Sequence, residues 1–198
     1  MAATIIALIL FLFPLAYSPG PGNMFFAANG ARFGIRATLP ANAGYHLATW
    51  IVATAIGLGA LTAFATYPQL FILLKLTGSA YVLWLAWTLF RSGGAGELGP
   101  ARPAGFGTGV VLLLFNPKAY VIMLLMFTQF IDPASTRQSA TVLLIATVFT
   151  LNNLAAFLLW TVAGDRLARR FRDGAQARRI NQVFGAVLAA VAVWMALA

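Results

Sequence analysis

The chain has 198 residues, 61% hydrophobic and 9% charged, with a mean hydropathy of +0.86. So few charges cannot cover a water-soluble globule, and the absence of cysteine excludes disulfides and thiolate metal sites; the class is an integral membrane protein. The net charge of +9 does not point to nucleic acid, because six of the 13 basic residues fall between Arg166 and Arg179, beside a hydrophobic span where a cytoplasmic flank would meet anionic lipid.

In chain order, six stretches are long enough to cross about 30 Å of hydrocarbon at about 1.5 Å per residue. They cover residues 4–29, 39–64, 69–90, 106–131, 140–164 and 180–198. The first lacks a basic leading region, contains Pro14 and continues apolar through Met24, Phe25 and Phe26, so it reads as a span rather than a cleaved signal. Arg32 and Arg36 lie in the first connection, Arg91 and Arg102 in the third and the arginine-rich run in the fifth, whereas the second has none and the fourth only Arg137. Odd connections are therefore expected in the cytoplasm and both termini outside. Residues 92–103, rich in Gly, Ala and Pro, read as a flexible link between halves.

The first and fourth spans are each interrupted by proline, at Ser18-Pro19-Gly20-Pro21-Gly22-Asn23 and at Asn116-Pro117-Lys118. A proline frees the carbonyl four residues earlier, here those of Leu15, Tyr17 and Leu113, and breaks or kinks the helix. In lipid such backbone survives only beside protein or a water-filled cavity. Ser18 and Asn116 read as N-caps with Pro19 and Pro117 at the first helical position, so each break begins a half-helix. The N–H groups at such starts, around Gly22 to Met24 and Lys118 to Tyr120, favour an anion such as a carboxylate.

The halves also look duplicated. The third span of each carries a glycine followed nine residues later by tryptophan, Gly78 to Trp87 and Gly185 to Trp194. A three-span unit repeated in tandem inserts upside down, which places binding sites at the midplane where broken helices meet. The expected fold is thus all-α, with six transmembrane helices in two inverted repeats, 1–91 and 104–198, making one transporter domain.

Lys118 lies mid-span, where an unpaired charge is expensive, so it is expected to face the interior. Lys75 sits nearer a span end and either lines the cavity or snorkels to the surface. His46, the sole histidine, either carries a coupling proton or hydrogen-bonds a neighbouring helix. Asn152 and Asn153 project about 100° apart, so only one points fully into a bundle, and Asn152 is taken as the site residue. Tyr17 and Tyr120 join the candidates because each flanks a break. None of Glu97, Asp132, Asp165 and Asp173 lies deep in a span, which argues against metal export and favours a neutral solute over a strongly cationic one.

The runs Ser-Pro-Gly-Pro-Gly-Asn at 18–23, Leu-Leu-Lys-Leu-Thr-Gly-Ser-Ala-Tyr-Val-Leu-Trp-Leu at 73–85 and Asn-Pro-Lys-Ala at 116–119, with the arginine-rich segment leading to Ile180, Asn181 and Gly185, resemble the LysE/RhtB family of amino-acid exporters. The resemblance covers nearly the whole chain and implies ion-driven export of amino acids or related solutes across the bacterial inner membrane. Around the first connection Gly30, Gly34 and Gly44 are kept, but Thr38, Pro40 and Ala48 depart from the family's glycine ladder. The expected partners are an amino-acid-like solute, a coupling proton, the lipid bilayer and a second copy in a homodimer; no cofactor or metal is expected. A passive channel or scaffold is the alternative. An enzyme is disfavoured by the lack of a Ser-His dyad, a metal-ligand cluster or paired intramembrane carboxylates.

Overall fold

A computed structural model describes residues 2–60, 68–91, 102–131, 138–170 and 174–197. Its secondary structure is all helical among these residues. The helices are α1 (Ala2–Tyr17), α2 (Pro21–Phe33), α3 (Ile35–Ala55), α4 (Pro68–Arg91), α5 (Phe106–Leu114), α6 (Pro117–Phe130), α7 (Gln138–Arg170) and α8 (Gly174–Leu197). A π-helical turn, Ile56–Ala60, follows α3.

Among the described residues one helix, α7, is long and apolar enough to cross a membrane unaided, while α1 with α2 and α5 with α6 qualify as bent pairs. Both pairs bend by 64° at their proline breaks. The 33 residues of α7 extend about 50 Å, longer than the hydrocarbon is thick, and carry the helix past its apolar part to Arg169 and Arg170. Here the structure corrects the expected fifth connection. Instead of an irregular loop over 165–179, α7 continues to Arg170 and α8 starts at Gly174, as suits arginine's good helix propensity. Asp165 accepts from Arg169 one turn later at 2.9 Å.

The first connection is also shorter than expected. Gly34 alone separates α2 from α3, at φ 84°, a left-handed conformation that glycine adopts without a Cβ clash. Arg32 and Arg36 therefore lie on helix ends rather than in a loop. Most of the expected flexible link, 92–101, lies outside the described residues.

Packing follows from small residues. The helix α2 lies along α7, α3 along α5, and α4 along α8. In the first pair the contact is reciprocal: a Cβ on Gly30 would strike the Thr161 carbonyl, and one on Gly164 the Ala27 carbonyl. The second repeats the device, with Gly44 against the Phe106 carbonyl and Gly109 against the Ala41 carbonyl. Without a hydrophobic driving force between helices in lipid, such close backbone approach supplies the van der Waals contact that holds them. Gly78 and Gly185, the pair matched between halves, meet different neighbours: Phe115 for Gly78, and Ala86 and Phe90 for Gly185.

Gly164→Ala should therefore cost about 1–3 kcal/mol, the usual range for overpacking. Gly107→Ala, whose Cβ meets nothing within 4 Å, should be neutral or slightly stabilising. Melting temperatures of the detergent-purified variants check this, and equal melting would exclude the glycine contact as a determinant of packing.

Candidate functional site

Each carbonyl orphaned by proline at the two breaks has found a new donor. The Ser18 hydroxyl donates to Leu15 O at 3.1 Å, the Trp160 indole to Tyr17 O at 3.2 Å, and the Asn116 backbone N–H to Leu113 O at 2.9 Å. Two more bonds tie the breaks: Asn23 Nδ2 donates to Ala16 O at 2.9 Å, and the Tyr120 hydroxyl donates to Leu114 O at 3.2 Å. A buried carbonyl without a partner would cost about 1–3 kcal/mol, so these side chains are needed to keep the breaks open as backbone.

At the first break the structure corrects the expected capping. Helix α2 begins at Pro21 with Gly20 as its N-cap, not at Pro19 with Ser18. The Ser18 hydroxyl turns back to close the end of α1, and Pro19 is exposed. Asn116 and Pro117 do occupy the N-cap and first position of α6, but the Asn116 side chain makes no capping bond. It donates instead to the Tyr45 hydroxyl on α3 at 2.7 Å. The set of N–H groups available to a ligand is smaller than expected, since Met24 N–H already donates to Gly20 O and Ala119 N–H to Asn116 O. Those of Gly22 and Asn23 head α2 with no intrahelical acceptor.

Lys118 joins the two breaks. Its ammonium donates to both the carbonyl and the hydroxyl oxygen of Ser18, each at 3.0 Å. The side chain lies across Gly20, where a Cβ would come within 2.9 Å of Nζ, so Gly20 leaves the room that the lysine fills. Gly22 similarly backs onto the Phe157 ring.

These groups surround a small cavity with about 10 Å³ of room for solvent, about that of one water. Asn23, Tyr45, Asn116, Lys118 and Asn153 give it polar walls, and Ile122, Phe149 and Phe157 give it apolar ones. Asn116 Oδ1 is buried without a hydrogen-bond partner. Of the adjacent asparagines, Asn153 lines the cavity and Asn152 does not, because α7 turns Asn153 toward α3. Tyr17 and Tyr120 do not line it either. Tyr17 stacks on Phe13 with ring centroids 4.5 Å apart, and the Tyr120 hydroxyl is committed to the α5 end.

His46 sits one residue beyond Tyr45 in a fully partnered setting. Its Nδ1–H donates to Asn42 O at 2.8 Å, and Asn153 Nδ2 approaches Nε2 at 3.5 Å. One donor and one acceptor nitrogen match the neutral ring. The ring also lies 5.1 Å from Phe157 and 5.2 Å from Tyr45, centroid to centroid. The side chain of Lys75 is outside the described residues.

Tyr45, Ile122, Phe149, Phe157 and Asn153 are among the lining residues that sequence reasoning missed or set aside. The spacing Asn42, Tyr45, His46, Thr49 puts these polar groups on one face of α3, a signal that was legible; the choice of Phe149 and Phe157 among 16 phenylalanines was not.

The family described as LysE type translocator matches residues 13–198. The chain belongs to that family. It is accordingly a membrane translocator and not an enzyme. Similar proteins include an uncharacterized membrane protein of Vibrio cholerae, 30% identical over 98% of this chain and 96% of its own. Others are a homoserine/homoserine lactone efflux protein of Salmonella typhimurium, 26% identical over 93% and 91%, and a cysteine/O-acetylserine efflux protein of Salmonella choleraesuis, 27% identical over 90% of each chain. No solved structure matches the translocator significantly.

Two asparagines of the translocator make a matched test of the hydrogen-bond assignments. Asn23→Leu strands the buried Ala16 carbonyl and should cost about 1–3 kcal/mol of stability. Asn152→Leu removes an amide whose Nδ2 has no partner and should be neutral or stabilising. Thermal unfolding followed by intrinsic fluorescence separates the two, and a larger loss at Asn152 would reverse the assignment.

Proposed function

We propose that this translocator exports a neutral amino acid or a close derivative from the bacterial cytoplasm, by proton-coupled alternating access. In this reading six spans form two inverted three-helix repeats in the inner membrane, with both termini external. The observation that carries it is Lys118 bridging the two proline breaks beside a cavity whose other polar groups are neutral.

The chemistry fits a zwitterion. A carboxylate would be held by Lys118 and the N–H groups that head α2, while Asn116 Oδ1 offers an unpaired acceptor to an ammonium or hydroxyl group. Among the described residues the polar lining contains no carboxylate, which disfavours a second positive charge on the solute. The relatives are named for efflux of homoserine or homoserine lactone and of cysteine or O-acetylserine, small solutes that, the lactone apart, are zwitterions of this kind.

The cavity has no room for such a solute, so binding requires the breaks to part. Ser18 occupies two of the lysine's donors. An arriving carboxylate competes for the same ammonium, so loading the site would release the contact that holds α1 to α6. This gives the solute the differential affinity between states that transport requires. The reciprocal glycine contacts lie toward the ends of α2, α3, α5 and α7 that this reading places in the cytoplasm. They would have to separate for solute to enter from there.

Uptake of homoserine, O-acetylserine and a panel of labelled amino acids into inside-out vesicles tests the function, and a lack of gradient-driven uptake across the whole panel would refute it. Lys118→Met should weaken binding of the transported solute by about 1.5–3 kcal/mol, roughly 10- to 150-fold, and weaken its carboxyl-amidated analogue much less. Equal losses for both would remove Lys118 as the carboxylate partner.

His46 is the coupling candidate, since its ring touches Tyr45 and Phe157 of the cavity wall. His46→Gln keeps hydrogen-bonding capacity without titrating, so it should retain solute binding while flattening the pH dependence of efflux. An unchanged pH profile would leave His46 a packing residue.

A further inference from the structure

A second cavity, of about 500 Å³, lies apart from the proline breaks, among the far end of α2, the start of α5, and the faces of α4 and α8. Arg32 and Arg102 both line it. Their convergence is built. Asn29, one turn before Arg32, accepts from Ala104 N–H at 3.4 Å and donates to Thr38 at 3.0 Å, which anchors the segment that carries Arg102 against α2. Neither guanidinium forms an ion pair with a described carboxylate. Tyr81 and Trp84 complete the wall, and neither the phenol nor the indole N–H has a hydrogen-bond partner among the described residues.

Trp84 is shared with a further space, an apolar groove of about 590 Å³ between α4 and α8. Trp87, Phe90 and Gly185 line it, and Trp84 and Trp87 are more than half exposed. Arg91 caps this end, its guanidinium 4.8 Å from the Trp87 ring. A cationic, donor-rich cavity thus adjoins an apolar groove across one tryptophan, the layout of an amphiphile with an anionic head. A free zwitterionic solute makes no use of the groove.

We propose that Arg32 and Arg102 bind the phosphate of an anionic phospholipid, with Trp84 at the head-to-tail boundary and one acyl chain along the α4–α8 groove. Basic pockets between transmembrane helices on the cytoplasmic side hold such headgroups, and tryptophan concentrates at that depth. The site is independent of the solute site, and its test involves no transport.

Native mass spectrometry of the purified translocator, with dioleoylphosphatidylglycerol or dioleoylphosphatidylcholine added in equal amounts, reads the site directly. The wild type should retain the glycerol lipid preferentially. Each arginine near an anionic lipid contributes a factor of about five, so Arg32→Gln with Arg102→Gln should lower that retention roughly 25-fold. Ala186→Leu, which fills the groove from an exposed position, should lower retention of the bound lipid while leaving the headgroup preference.

Equal retention of the two lipids by the wild type would overturn the proposal, whatever the variants do. So would displacement of the glycerol lipid by inorganic phosphate at low concentration, which would mark a free-anion site. A loss of dimer with unchanged lipid retention in Ala186→Leu would assign the groove to a second copy and overturn it too.

Discussion

The constraint on which this structure rests is that a carbonyl freed inside a membrane must be answered by a donor from the protein. Prolines at 19, 21 and 117 free those of Leu15, Tyr17 and Leu113, and three different chemistries answer: a serine hydroxyl, an indole and a backbone amide. The Trp160 bond is the most consequential for the fold, because it comes from α7 and pins the first break to the longest helix. Polar groups brought in to repair the backbone also make the breaks a place where a polar solute is tolerated. The Ser18 hydroxyl that answers Leu15 O also accepts from Lys118, so in the proposed reading a change at Ser18 touches repair and binding together.

Much of this was legible in the sequence because proline acts locally. The positions of both breaks follow from the residues alone, as does the start of α6 at Pro117 behind Asn116. The exact start of α2 did not, because two prolines compete at the first break and only tertiary packing decides between them: Lys118 needs the space over Gly20, which makes Gly20 rather than Ser18 the cap. Asn153 and Asn152 illustrate the same limit. Their 100° separation guaranteed that one would face the bundle, yet which one depends on the rotation of α7, set by the Gly164 and Thr161 contacts with α2 more than two turns away. The helical course of residues 165–170 was obscured for a different reason. Charge reads as loop when judged by hydropathy, although arginine favours helix once the chain has left the bilayer.

The two breaks bend alike, at 64°, but their surroundings differ. Helix α2 packs along α7 through reciprocal glycines, whereas α6, its counterpart if the halves are repeats, has no comparably extended contact with α3. Gly78 and Gly185 show the same divergence in their neighbours. Two copies of one unit in a transporter need not have equal surroundings in any single state. Alternating access works by letting each copy adopt in turn the conformation that the other leaves. In the proposed orientation the tight contacts fall on the cytoplasmic side, so this conformation is closed there.

A lysine suits such a site better than an arginine would. The ammonium is a compact charge with three donors on a flexible stem, whereas a guanidinium presents a planar fork fixed to one acceptor geometry. Ser18 engages Lys118 through two oxygens 3.0 Å away, leaving one N–H of the three without a part in that contact. In the proposed reading that third donor gives an incoming carboxylate a first foothold before either bond to Ser18 is lost, so the exchange can proceed one hydrogen bond at a time. At no stage need the charge stand bare in a low-dielectric interior, where the cost would be prohibitive. A stepwise handover of this kind needs a carbonyl acceptor that can afterwards be left to water or to the opened cavity. Ser18 O, at the end of α1 and ahead of two prolines, is such an acceptor, because the proline at 19 had already disrupted the helix around it.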